Sequence, residues 1–233
     1  MEAAGIIGRM ISGTVYIVRR RKDGLMQEFL SFIRTRQPVN LLIVAANIVV
    51  FIVLSIMGDT QDAWFMATHG ACYTPFVLEY GEYYRLFTCM FLHFGIEHLF
   101  YNMLLLIFVG DTLEKVAGKV RYLLIYIIGG LVGNVVSIWA GMRSVEYAVS
   151  AGASGAIFAV IGALIWIVLR NKGRLEGYSS QRLVLMAGLS VVNGLTETGI
   201  DNWAHIGGLA GGFLLALLLY RKKAGAMQKE SEV

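Results

Sequence analysis

The chain has 233 residues, of which 57% are hydrophobic and only 15% charged, with a net charge of +4 and a mean hydropathy of +0.64. Soluble domains carry about 45–50% apolar and about 25% charged residues, so this composition excludes an ordinary water-soluble domain and points to a membrane protein. One compact domain is the natural count at this length.

Residues 1–36 form a basic N-terminal segment. Its VYIVRRRK stretch mixes apolar and basic residues, so a solvated tail and an interfacial segment both remain open. No small-residue cleavage site precedes the first long apolar run, which argues against a cleaved signal peptide. Residues 37–58 hold no Asp, Glu, Lys or Arg. They approach the ~20 residues needed to cross about 30 Å of hydrocarbon as a helix, and they read as the first span. A long connection follows at 59–85, rich in aromatics and acids. A loop of this length usually has a job, and its aromatics suit the lipid headgroup level.

The second span is read at 86–110, apolar but carrying His93, Glu97 and His98. Uncharged runs at 122–142, 147–169 and 202–220 give the third, fourth and sixth spans, and a shorter uncharged run at 183–196 gives the fifth. The fold expected is an all-α membrane protein. It is a six-transmembrane-helix bundle over residues 37–220, with a long outer loop between helices 1 and 2 and a short tail at 221–233.

Basic residues fix the orientation, because they stay preferentially on the cytoplasmic side. They concentrate in the N-terminal segment, in the 2–3 and 4–5 connections and in the C-terminal tail. Of the 20 Lys and Arg residues, only Arg85 and Arg143 fall on the other face of a six-span arrangement. Both termini are therefore expected in the cytoplasm, with the protein a multi-pass component of the plasma (inner) membrane. The positive charge is explained by topology, with no nucleic acid implied. Cys72 and Cys89 map near the outer side and are expected to be free structural thiols, since nothing in their spacing demands a bridge.

Polar side chains inside spans are costly and face the protein interior. His98 and Asn102 lie in the outer half of span 2, Ser154 near the outer start of span 4, and His205 near the outer start of span 6. Three helices thus bring four polar groups to one leaflet. His98 and Asn102 differ by roughly 40° around a helix and share a face, whereas His93 lies about 140° from His98. HFGIEH is therefore a poor metal clamp, lacking the His-Glu-x-x-His spacing of a catalytic zinc site. No metal is expected from this spacing.

Small residues surround the serine and follow the histidine. Gly152 and Gly155 flank Ser154, and span 6 offers Gly207 with Gly211 and Gly208 with Gly212 as G-x-x-x-G pairs. Small residues let membrane helices approach closely. Ser154 can be one more small residue in that seam, or a nucleophile whose proton is taken by His205. In the second reading His98, Asn102 and the Ser154 amide are donors for a developing oxyanion. Asp201 could share the face of His205 as a third member, but it sits where a helix N-cap belongs, and Asp is a favoured cap. The working arrangement is a Ser–His dyad.

The motifs HFGIEHLFYN at 93–102, GASG at 152–155 and AHIGGLAGG at 204–212 resemble those of rhomboid intramembrane serine proteases. GEYYRLFT at 81–88 and GDTLEKVAG at 110–118 support the match. The resemblance implies a Ser154–His205 dyad, an oxyanion site from His98, Asn102 and the Ser154 amide, and hydrolysis of a peptide bond in or near the transmembrane helix of a membrane-protein substrate. It also implies that no metal or cofactor is needed, that the first loop is partly membrane-embedded, and that the fifth span moves for substrate access. Two positions depart from the family pattern. Tyr84-Arg85 replaces Trp-Arg, which keeps an aromatic–basic pair at an interface, and Phe158 replaces a tyrosine beneath the histidine.

Hydrolysis needs water, and every catalytic candidate sits within about two helical turns of the outer boundary at a rise of 1.5 Å per residue. A cavity open to that side could wet them. A stable substrate helix hides its carbonyls in internal hydrogen bonds, so easily unwound substrates are expected. Two other classes stand beside the protease. One is a non-catalytic binder or chaperone of membrane helices. The other is a small transporter, which the dry FLLALLLY run below Gly212 argues against.

Overall fold

A computed structural model of the protein describes chiefly residues 33–143, 147–172 and 199–220, with a few short pieces around 26–31 and 174–188. Helix α1 (Pro38–Met57) begins with a proline in its first turn, where the missing N–H costs nothing. No side chain of its own caps it. The exposed amides are met by two carboxylates far along the chain: Gln37 N donates to Asp111 Oδ1 (2.6 Å), and Val39 N and Asn40 N donate to Glu114 Oε1 (3.2 Å) and Oε2 (2.7 Å). Negative charge at a helix N-terminus satisfies both the orphan donors and the macrodipole. Glu114 is buried, and this amide pair is its compensation.

The outer segment after α1 is folded. It contains α2 (Ala63–Thr68), β1 (Cys72–Tyr73), α3 (Thr74–Leu78) and α4 (Arg85–Thr88). Asp62 caps α2 by accepting from Phe65 N at 2.6 Å. Phe76 gathers Trp64, Tyr73 and Tyr80 at ring separations of 5.9, 5.2 and 5.9 Å. Arg85 is not the interfacial cation expected from the sequence. It is only 4% exposed, donates to the carbonyls of Ala67 and Ala71, and lies 4.6 Å from the Phe76 ring centroid. The loop's carbonyls and the Glu82 carboxylate, 2.5 Å from Nε, draw the guanidinium inward, and Tyr84 stays exposed.

The second span runs from α5 (Gly95–Leu105) through a π-turn at Leu106–Gly110 into α6 (Asp111–Ala117). It is therefore displaced toward the C-terminus of the 86–110 window read from hydropathy. The chain turns at Gly95, whose φ of +74° favours glycine, and the charged end of the helix stays inside because Asp111 and Glu114 are the caps of α1. The π-turn lies where Asn40 Nδ2 donates to Leu106 O (3.0 Å) and Tyr122 OH donates to Asn40 Oδ1 (2.7 Å).

Helix α7 (Lys119–Gly141), β2 (Val149–Ser150), α8 (Ser154–Arg170) and α9 (Asn202–Leu219) complete the described frame. Four helical stretches, Pro38–Met57, Gly95–Ala117, Lys119–Gly141 and Asn202–Leu219, are long and apolar enough to cross a membrane, and Ser154–Arg170 is a shorter apolar helix. The fifth span read at 183–196 lies outside the described residues for most of its length. Helix α8 starts later than the 147–169 window suggests, because β2 pairs antiparallel with β1 (Cys72 with Ser150, Tyr73 with Val149) before the chain turns into the helix. It is buried along nearly its whole length, which marks a helix enclosed by protein rather than lipid.

Helix α9 lies between α7 and α8, and its two G-x-x-x-G pairs serve different neighbours. A Cβ on Gly208 or Gly212 would collide with the carbonyl oxygen of Gly155 or Ala159 on α8. A Cβ on Gly207 would meet Val136 Cβ at 2.7 Å, and one on Gly211 would meet Val132 Cγ1 at 3.0 Å, both on α7. The seam is built by absent side chains, as close membrane-helix contacts are.

Candidate active site

Ser154 is the first residue of α8, and the helix has no side-chain cap. The first amides of a helix lack intrahelical partners, so backbone donors and the positive end of the dipole converge where the serine stands. Two contacts shape the approach to it. Gly152 N donates to Cys89 O at 2.9 Å, and Ala153 N donates to His93 Nε2 at 3.4 Å. Gly152 has φ +137°. A Cβ there would lie 2.8 Å from His98 Cε1, 2.9 Å from His98 Nε2 and 3.7 Å from Ser154 Oγ. Only glycine leaves that space open, and through it the His98 ring and the Ser154 hydroxyl border one small volume.

His205 arrives from α9, one residue past the contact between Ala204 and Gly155. A Cβ on Gly155 would sit 3.6 Å from Ala204 Cβ. The buried His205 ring stacks on Phe158, with centroids 4.2 Å apart and planes 5° from parallel. Phe158 is four residues after Ser154, so the two share a face of α8 one turn apart. The phenyl ring is thus a floor that holds the imidazole on the face bearing the hydroxyl. No hydrogen bond joins Ser154 Oγ to the His205 ring among the described residues. Such contacts are commonly loose without substrate and tighten in the complex.

Asn102 is buried on α5 and donates Nδ2 to His98 O at 2.9 Å. His98 lies edge-on to His93, with ring centroids 5.1 Å apart. The structure therefore brings Ser154, His205, His98 and the glycines 152, 155 and 208 to one end of the bundle. Asn102 is one turn further along the helix from His98, and Gly212 one turn deeper in the seam. Asp201 caps α9 by accepting from Ala204 N at 2.9 Å. Its carboxylate also takes the hydroxyls of Ser137 (2.5 Å) and Ser150 (2.7 Å), and His205 Nδ1 is buried with no hydrogen-bond partner among the described residues. Cys72 and Cys89 are both free and buried, and Asn134 Nδ2 donates to Cys89 Sγ at 3.1 Å.

Sequence reasoning dismissed His93 as a metal ligand and gave it no other task. Its contact with the amide before Ser154 was signalled only by its place in the HFGIEH motif. Ser137 and Ser150 carried no signal.

Comparison with known proteins bears on this arrangement. Residues 80–222 match the family model of the Rhomboid domain. The chain is 33% identical over 213 residues to the rhomboid protease GluP of Bacillus subtilis (strain 168), an alignment covering 91% of this chain and 41% of that protein. It is 32% identical over 197 residues to YdcA of the same organism, covering 84% of this chain and 96% of that one. Against RHOMBOID-like protein 7 of Arabidopsis thaliana the identity is 38% over 144 residues, with 59% and 43% covered. The chain thus spans less than half of GluP and nearly all of YdcA.

Proposed function

The chain belongs to the rhomboid family of multi-pass membrane proteins, and from that premise we propose that it is an intramembrane serine endopeptidase. In this reading Ser154 Oγ attacks a peptide carbonyl in or near the transmembrane helix of a substrate protein, and His205 takes its proton and gives it to the leaving amine as the C–N bond breaks. A water deprotonated by His205 then cleaves the acyl ester, and the proton returns to Ser154. The developing oxyanion is held by the Ser154 amide at the uncapped start of α8, with His98 and Asn102 as side-chain donors. One N–H of Asn102 is spent on the His98 carbonyl, and its second N–H is the donor that takes that part. Residues 37–220 form the protease domain, flanked by basic cytoplasmic segments at 1–36 and 221–233. The site then faces the outer side of the plasma membrane.

The observation that carries the proposal is the stacked Phe158–His205 pair one turn from Ser154. It supports a reading in which an imidazole meets a hydroxyl on one helix face, at a helix end that no side chain caps. A seam made only for close helix contact has no need of an imidazole buried on such a floor. Full-length protein in liposomes with a reporter transmembrane substrate tests it. Wild type should cut the reporter, while Ser154→Ala and His205→Ala should both leave it whole. Binding of the reporter without cutting by wild type would favour a non-catalytic chaperone of membrane helices.

A further inference from the structure

Asp201 lies four residues before His205, and its hydrogen bonds go elsewhere than to the imidazole. Oδ1 accepts the Ala204 amide (2.9 Å), while Oδ2 accepts the Ser137 hydroxyl (2.5 Å) and the Ser150 hydroxyl (2.7 Å). These donors belong to three parts of the bundle. Ala204 precedes His205 on α9, Ser137 is on α7, and Ser150 ends the strand that leads through Gly152 to Ser154. One carboxylate therefore ties the base-bearing helix end, the helix beside it and the strand before the nucleophile.

We propose that Asp201 is a positioning residue that sets the Ser154 loop against the His205 helix by hydrogen bonding, rather than a triad member that accepts a proton bond from the imidazole. The proposal rests on the Ser154–His205 reading above. Its geometry makes a specific demand. An asparagine at 201 can keep its oxygen on the Ala204 amide and place its NH2 where Oδ2 was. Two N–H groups then serve two serine hydroxyls, each of which turns to accept. The tether survives without the charge. An alanine loses all three bonds, and a shift of about 1 Å in a reacting group can cost about 100-fold in rate.

The test compares wild type, Asp201→Asn, Asp201→Ala and the double variant Ser137→Ala/Ser150→Ala as full chains in liposomes. Reporter cleavage gives kcat and KM, a fluorophosphonate probe gives the labelling rate of Ser154, and thermal denaturation gives folding. Asp201→Asn should stay within about threefold of wild type in kcat and labelling, because its bonds are replaced. Asp201→Ala should lose about 10- to 100-fold in kcat with KM within about twofold. The double variant should follow it part of the way, with the Ala204 cap intact.

A carboxylate that orients and stabilises an imidazolium costs about 10⁴ in kcat when made an amide. An Asp201→Asn loss of that order would overturn the proposal in favour of a triad. A lowered Tm with unchanged kcat below it, in Asp201→Ala and the double variant alike, would reduce Asp201 to a helix cap and equally overturn it. Absence of cleavage and labelling in wild type would instead contradict the protease reading itself.

Discussion

Two regions of the bundle are held together by different means. Around α9, glycines 207, 208, 211 and 212 let α7 and α8 come close enough for backbone to touch backbone. Around the start of α1, attachment is polar: Asp111 and Glu114 cap the helix, and Asn40 links Leu106 O to Tyr122. The first contact depends on shape and is indifferent to charge. The second depends on hydrogen-bond chemistry and leaves room for changes of size beside it. The candidate dyad lies at the shape-built seam, where helix positions have no slack. The polar tether lies where α1 must be fixed to helices it meets through fewer small residues.

The largest effect expected from that contrast is at Gly212. A leucine there would drive its Cβ into the Ala159 carbonyl on α8, which backbone cannot yield to. Gly212→Leu should abolish folding or shift the helices enough to end reporter cleavage, and a Tm within a few degrees of wild type would break the account of the seam. Next comes Glu114. Glu114→Ala strands the Val39 and Asn40 amides in a buried place, at about 1–3 kcal/mol for each unsatisfied group. The glutamine variant keeps one acceptor and should recover part of the loss, as measured by thermal denaturation. Equal Tm values for the two variants would show that the capping bonds are not what Glu114 supplies.

At the site the expected effect is on rate. Phe158→Ala removes the floor under His205, and a stacked aromatic pair contributes about 0.5–1.5 kcal/mol beyond its area, so kcat should fall at least severalfold. Phe158→Tyr keeps the ring and should cleave within about threefold of wild type. A large gain in the tyrosine variant would mean that a hydroxyl at 158 acts on the histidine. The smallest effect belongs to Asn134, which links α7 to Leu86 O (2.7 Å) and Cys89 Sγ. Asn134→Ala should cost about 1 kcal/mol in thermal stability and leave KM unchanged.

Much of the site was legible because lipid makes polar residues conspicuous. His98, Asn102, Ser154 and His205 stood out from apolar runs, and charge placement put them at one depth. The glycine pairs of the sixth span were legible as a seam, though not that they divide between two partners. Boundaries were less legible. Hydropathy cannot see that the chain turns at Gly95 or that β2 precedes α8, since both stretches are apolar. Asp111 and Glu114 lie beyond the 86–110 window, yet both cap the amides of a helix some 70 positions earlier, Glu114 fully buried and Asp111 partly so. The convergence of Ser137 and Ser150 on Asp201 had no sequence signature, because a hydroxyl in a span is common and only tertiary geometry gives it a partner.

The central claim is that His205 activates Ser154. Mass-spectrometric mapping of a fluorophosphonate adduct on the full chain in liposomes tests it directly. The account predicts a single adduct, on the peptide carrying Ser154, that disappears in His205→Ala while the variant keeps its fold. An adduct on a different residue, or labelling of Ser154 at the wild-type rate without the imidazole, would contradict it.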